Sequence, residues 1–167
     1  PTELLAMAHE LGLVANGLPE SDGGGGARSA LTGALIAEEL GWGDMALAFA
    51  ILSPGLVGFP IADHGSAVLR KSILSGLLGP AFIPGSLAIV EPRFDFDVFH
   101  PHTTARRDGD AYVVEGRKCL VPWLAGGQHV VVVAAENGAL AAFVLARDAK
   151  GLVATPDGQT VAGALVT

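Results

Sequence analysis

The chain has 167 residues, enough for one large domain or two small ones with a sizeable core. Ten Lys and Arg against 17 Asp and Glu give a formal net charge of −7, and charged residues are only 16% of the whole. An acidic chain with no basic stripe excludes a nucleic-acid surface, and a hydrophobic content of 50% excludes intrinsic disorder.

In chain order, Leu4, Leu5, Ala8 and Leu11 repeat at helical spacing, which predicts a short helix over 2–11 ended by Gly12. A loop over 16–26 follows, with Pro19 and four consecutive glycines, Gly23 to Gly26, read as a flexible turn. A second helix is expected over 29–40 with Glu38 and Glu39 exposed, stopping at Gly41. Asp44 suits the N-cap of a third over 45–52, and His64-Gly-Ser66 leads into a fourth over 67–78, closed by Gly79-Pro80.

Two uncharged stretches, 45–62 and 72–90, call for a membrane test. Pro54 and Pro60 lie within the first, Pro80 and Pro84 within the second, so each is expected to be two short buried elements joined by turns, with no membrane span.

After Pro84 the pattern turns to strands. These are expected over 87–90, over 103–107 and 111–115 around Asp108-Gly109-Asp110, over 129–135 and 139–145 around Glu136-Asn137-Gly138, and over 161–166. Asn-Gly between apolar runs is the strongest short hairpin signal, because both residues tolerate positive φ. Helices followed by antiparallel strands define an α+β chain, dividing near residue 84 into a helical segment, 1–84, and a β segment, 85–167. The one cysteine, Cys119, excludes an internal disulfide and fits a reducing, cytoplasmic setting. The chain opens on Pro1 rather than Met, as a piece of a longer polypeptide would.

The chemical motifs are sparse. The glycine run lacks a following Gly-Lys-Ser/Thr, and Arg28 and Ser29 occupy the third-glycine positions of Gly-x-Gly-x-x-Gly. Asp95, Asp97, His100 and His102 offer metal-donor chemistry within eight residues, but three phenylalanines interleave with them and no His-Glu-x-x-His or Cys pair accompanies them, so a solvated loop is the plainer reading and no metal is assigned. No serine stands in Gly-x-Ser-x-Gly, and Cys119, beside Arg117 and Lys118, reads as a buried strand cysteine.

Four stretches nevertheless form a pattern. Glu10-Leu-Gly-Leu13 with Leu18-Pro-Glu20 and the glycine run, Ala37-Glu-Glu-Leu40 followed by Asp44, Ala88-Ile-Val-Glu-Pro92 with Asp97 five residues on, and Thr103 to Lys118 together resemble the acyl-CoA dehydrogenase family, in the family's order. The last stretch, TTARRDGDAYVVEGRK, is the most specific. The resemblance implies the end of an N-terminal helical domain and most of a middle antiparallel, barrel-like β domain, with the C-terminal helical bundle missing.

It also implies FAD as cofactor and an acyl-CoA substrate, within oxidoreductase chemistry of fatty acid metabolism. In the family the flavin lies between the β domain and the bundle. A glutamate of the C-terminal region removes the α-proton of the thioester while hydride passes to the flavin, so no catalytic residue is carried over to this chain, and Glu91 corresponds to a structural position. The flavin-contacting positions correspond to Leu87, Ile89, Val90, Leu120, Val121 and Pro122, and a substrate-side position to Phe96. Several depart from the family pattern. Val90 and Pro122 stand where threonines are expected, Leu120 where a tryptophan is, Phe96 where a serine is and Asp95 where a glycine is, with Trp123 as a shifted replacement for the tryptophan.

Each polar contact so lost removes about 1 kcal/mol. The resemblance therefore implies either a divergent flavin enzyme, as a homo-oligomer, or a non-catalytic or flavin-free subunit of a mixed oligomer with a homologue. The unpaired apolar stretches predict self-association of the isolated chain.

Overall fold

The computed structural model describes residues 2–160 and 163–166. Its helices are α1 (Thr2–Glu10), α2 (Ala30–Gly43), α3 (Met45–Leu52), α4 (Gly55–His64), α5 (Ala67–Leu69) and α6 (Ser75–Leu77). The strands are β1 (Ser86–Ala88), β2 (Thr104–Asp108), β3 (Ala111–Glu115), β4 (Val121–Pro122), β5 (His129–Glu136), β6 (Ala139–Ala146), β7 (Pro156–Thr160) and β8 (Gly163–Val166).

Side chains start the helices as the sequence implies. Ser29 Oγ accepts from the Thr32 N–H, Asp44 Oδ1 from that of Leu47 at 2.8 Å, and Ser66 Oγ from that of Leu69, each satisfying a donor that the first turn leaves open. Other expectations need correction. α2 runs past Gly41 to Gly43, since Asp44 caps the next helix and nothing breaks the ladder before it. Pro60 sits inside α4 without ending it, whereas the expected division of 45–62 into two short elements is met by α3 and α4; Ser53 and Pro54 between them keep helical dihedrals, so 45–64 follows a nearly continuous helical path. That stretch is long and apolar enough to cross a membrane by length and composition, yet 56% of its most apolar window is buried within the protein. Between α5 and α6 the helix widens into one π turn, Arg70–Leu74, which turns Ile73 and Leu74 into the core.

The glycine loop is folded rather than flexible. Gly24, Gly25 and Gly26 donate to the carbonyls of Pro19, Ala15 and Leu18, and the loop inserts Leu18, 1% exposed, into the core. A Cβ at Gly24 would collide with the Leu18 carbonyl, so the loop's tight return requires glycine there.

The β region is an open, mixed arrangement instead of the antiparallel, barrel-like domain that the family resemblance implies. β5 is its axis. One edge of β5 carries β6 antiparallel in eight pairs, from His129↔Ala146 to Glu136↔Ala139. It is also paired, in parallel, with β1 at Ser86↔Val130 to Ala88↔Val132 and with β2 at Thr104↔Ala135 and Ala105↔Glu136. β2 and β3 form the second hairpin, and β4, β8 and β7 a separate three-stranded sheet. Of the strand expected over 161–166, the part over 163–166 is β8, and Val161 lies outside the described residues. Two-residue turns set both hairpins. Asn137 and Gly138 have φ of +50° and +81°, the double positive pair of a type I′ turn.

Val130, Val131 and Val132 of β5 are buried in succession, on both faces, the pattern of a covered strand, and Val133 is half-buried. Val131 packs into one cluster with Leu18, Val57, Ile61 and Leu74 of the helical region. Val130 and Val132 pack on the other side with Ala88 and Val121. One apolar core thus joins helices to sheet. By contrast α2 has no buried residue, and Leu31, Leu35 and Trp42 stand exposed on it.

Candidate functional site

Two chain segments meet where β1 and β4 run out. The Ser86 hydroxyl, 1% exposed, donates to the Pro122 carbonyl at 2.6 Å. The Cys119 N–H donates to the Val90 carbonyl at 2.9 Å. Lys118 Nζ donates to the Ile89 carbonyl at 2.9 Å and to Glu91 Oε1 at 3.0 Å. The segments over 86–91 and 118–122 are therefore fastened at several points along their length. Between the Cys119 and Pro122 fastenings, Leu120 holds a left-handed φ of +54°, uncommon for a branched residue, and projects a side chain 53% exposed.

Glu91, 4% exposed, is the polar centre of this junction. Its Oε1 accepts from the Thr103 N–H at 2.8 Å, the Thr103 hydroxyl at 2.7 Å and Lys118 Nζ. Its Oε2 accepts from the His102 N–H at 2.8 Å and Arg93 Nε at 3.3 Å. Burial alone would raise the Glu91 carboxyl, but the Thr103 hydroxyl and N–H, the His102 N–H and Lys118 hold it well below the usual carboxylate range. Burial lowers Lys118, and the hydrogen bond to Glu91 opposes that shift. The carboxylate is ionised with both oxygens engaged, which suits an anchor and not a proton acceptor.

The residues expected to contact a cofactor are brought together, with unequal access. Ile89 and Val90 are half-buried and Leu120 is exposed. Leu87 packs against the helical core, while Val121 and Pro122 are buried in β4. Phe96, half-buried, lies beneath the Arg93 guanidinium at 5.8 Å from ring centre to Cζ. Arg93 Nη2 also donates to the His100 carbonyl at 2.7 Å, so it ties this loop to Glu91. Trp123 does not stand in for Leu120: its ring packs with Val121 and Val130 and carries the Arg147 guanidinium at 4.0 Å.

Asp97 caps its own loop, accepting from the Phe99 N–H at 2.9 Å and pairing with His100 Nδ1 at 2.6 Å. Among the described residues no group of three or more donors is placed to hold a metal ion. Cys119 is half-buried outside the strands rather than within one. A groove of about 1140 Å³ opens on the sheet between Tyr112, Trp123, Val132 and Phe143. Of the expected contact residues it includes only Val121, but Thr103 and Lys118, which bind Glu91, also line it, so the groove borders the junction.

Ser86, Thr103 and Lys118 carry no chemical signal of their own in the sequence, and the structural position that the resemblance gives Glu91 agrees with its enclosed carboxylate. The usable signal was the motif that brackets them, Glu91-Pro92 and the run from Thr103 to Lys118.

Comparisons with known proteins agree with this architecture. Residues 1–79 match the family described as acyl-CoA dehydrogenase, N-terminal domain. Acyl-CoA dehydrogenase FadE12 of Mycobacterium tuberculosis is 35% identical over 161 residues, covering 93% of this chain and 41% of that protein. Cyclohex-1-ene-1-carbonyl-CoA dehydrogenase of Geobacter metallireducens is 34% identical over 149 residues, covering 86% and 39%. An acyl-CoA dehydrogenase from Bacillus anthracis, solved with FAD, superposes with a TM-score of 0.80 at 26% identity over 99% of this chain and 30% of its own. A glutaryl-CoA dehydrogenase from Mycobacterium smegmatis shares the fold at a TM-score of 0.83 and 23% identity, over 99% and 43%.

An α+β chain with this helix order and this sheet is the N-terminal and middle portion of a flavin-dehydrogenase architecture. It belongs to the acyl-CoA dehydrogenase family. The chain spans about two fifths of the length of the M. tuberculosis relative, 41%.

Proposed function

We propose that this chain supplies one wall of an FAD site in an acyl-CoA dehydrogenase. The observation that carries the reading is the junction itself: the two segments that the family resemblance assigns to the flavin lie side by side, fastened by Ser86, Lys118 and the Cys119–Val90 backbone bond. Ile89, Val90 and Leu120 offer apolar side chains, which fit the flat and largely apolar isoalloxazine ring. With valine, leucine and proline at the three polar positions, the ring's polar rim is left to backbone groups, and Pro122 has no N–H to give. Leu87, Val121 and Pro122 act through this backbone frame.

When bound, FAD supplies the hydride acceptor for α,β-dehydrogenation of an acyl-CoA thioester. The residues of this chain orient and enclose, with Phe96 on the substrate side. None is the base that removes the α-proton, a role that needs a carboxylate free to take a proton. Glu91 is closed in by its five donors. The division near residue 84 then separates a helical support, 1–84, from the flavin-facing β segment, 85–167.

The test is the visible spectrum of the protein made from the complete reading frame that contains these residues. A flavin absorption band, or one that appears on adding FAD, is expected. A colourless preparation that quenches no FAD fluorescence overturns the reading.

The loss of polar side chains at Val90, Leu120 and Pro122 favours a second reading, a flavin-poor subunit assembled with a homologous, flavin-bearing one. Copurification with such a homologue, colour appearing only in the mixture, would select it. In either case the exposed apolar residues of α1 and α2, Met7, Leu31 and Trp42 among them, support association with a like chain, which light scattering would register. A clean monomer in light scattering would count against that association.

A further inference from the structure

We propose that Glu91 is a positioning residue: acting through Lys118, it fixes the separation of the 87–90 and 119–122 segments and so the shape of the flavin wall. This rests on the FAD reading above.

The need for such a residue follows from the strand ends. β1 stops at Ala88 and β4 begins at Val121, so Ile89, Val90, Cys119 and Leu120 lie beyond the ladders that fix spacing elsewhere. Here the segments are joined by the Cys119 N–Val90 O bond and by the Lys118 ammonium, which reaches Ile89 O and Glu91 Oε1 from a single atom. Glu91 is held in turn by the backbone of His102 and Thr103 at the start of β2, the strand anchored to β5. A chain of short polar contacts thus runs from the central strand to the carbonyl of Ile89.

A buried ion pair is a poor way to gain stability, since apolar residues of the same volume do as well. What it does provide is directionality, because each bond has a preferred length and angle. Leu120 is the residue that most needs it. A left-handed backbone at a branched residue persists only where its surroundings over-determine it. It is flanked by Cys119 on one side and by Val121, paired with β8, on the other. Loosening Lys118 frees the first of these anchors and lets Leu120 relax away from the wall.

The experiment compares the full protein with its Glu91→Gln, Lys118→Met, Thr103→Val and Ile73→Val variants. Each is read by FAD dissociation constant from fluorescence quenching, by the visible spectrum of the bound flavin and by thermal unfolding of the flavin-free form. Glu91→Gln keeps the side chain's shape and removes the charge that holds Lys118. It is expected to weaken FAD about tenfold or more and to move the bound spectrum toward that of free FAD. Lys118→Met moves both readouts the same way.

Thr103→Val deletes one hydrogen bond, folds if the other two do not, and is expected to weaken FAD by about threefold. Ile73→Val lowers stability in the helical core, outside the polar contacts of the junction, and leaves FAD binding unchanged. Folded junction variants with the parent's affinity and spectrum would overturn the inference while leaving the FAD reading intact. Ile73→Val weakening FAD as much as the junction variants would overturn it too. Absence of FAD binding by the parent protein would overturn both.

Discussion

The apolar centre around Leu18, Leu74 and Val131 and the polar centre around Glu91 hold the same molecule by opposite means. In the first, side chains from the glycine loop, α4, the π turn and β5 fill one volume, and the energy scales with apolar area removed from water. Such a core tolerates small shifts of any member. In the second, one carboxylate binds backbone and side-chain donors from three separate segments, and a shift of a few tenths of an ångström breaks a bond. The comparison teaches a division of labour, with apolar packing setting the fold and the polar junction setting the positions of a few backbone atoms.

The largest test of this division is Lys118→Met, which strands the Glu91 charge beneath the surface; it should cost about 4 kcal/mol in chemical denaturation. A loss under 1 kcal/mol would mean that the pair is not buried as a unit. Leu74→Ala, at 1% exposure in the apolar centre, should cost about 3 kcal/mol through the cavity it leaves. It should leave FAD binding alone, and an equal effect on FAD would erase the distinction between the two centres.

A pH series sharpens the comparison. The folded-state Glu91 carboxyl lies below its unfolded value, so its stabilisation is fully present above the unfolded pKa and is lost as pH falls toward the folded one. The advantage of the parent over Glu91→Gln should be constant above about pH 4.3 and shrink below it by at most ~1.4 kcal/mol per unit. Urea unfolding at stepped pH measures this, and a gap that widens in acid would contradict it. The smallest effect is expected from Leu35→Ala on the exposed face of α2, within about 0.5 kcal/mol by the same assay. A larger loss would show that α2 is covered in solution.

Local chemistry made much of the molecule legible. Asp44 and Ser66 announced helix starts because a short polar side chain there satisfies orphan N–H groups. Asn137-Gly138 announced a hairpin because few other pairs accept two positive φ values. The motif from Thr103 to Lys118 located the candidate site to within a few residues, and the structure added the contacts inside it.

The misreadings share a cause: they turn on partners distant in sequence. The antiparallel expectation came from two real hairpins and the barrel-like form from the family resemblance, but the parallel docking of β1 and β2 on β5 depends on the loops between them, which carry no periodic signal. Pro60 was expected to break a helix, yet Val57 and Ile61 around it are buried among Leu18, Leu74 and Val131, and that burial outweighs one missing hydrogen bond. The glycine loop read as flexible because glycine is permissive in isolation, while its N–H groups all find carbonyls once Leu18 is seated.

By itself the sequence determined the α+β order, the helix caps, both hairpins and the family, because those follow from short-range sterics, hydrogen bonding and fixed motif spacing. Only the tertiary structure decided that α2 has no buried residue while α4 is largely buried, and which donors from distant segments close in on Glu91. Both depend on which surfaces meet, and burial is a property of the pair of surfaces, not of either segment alone.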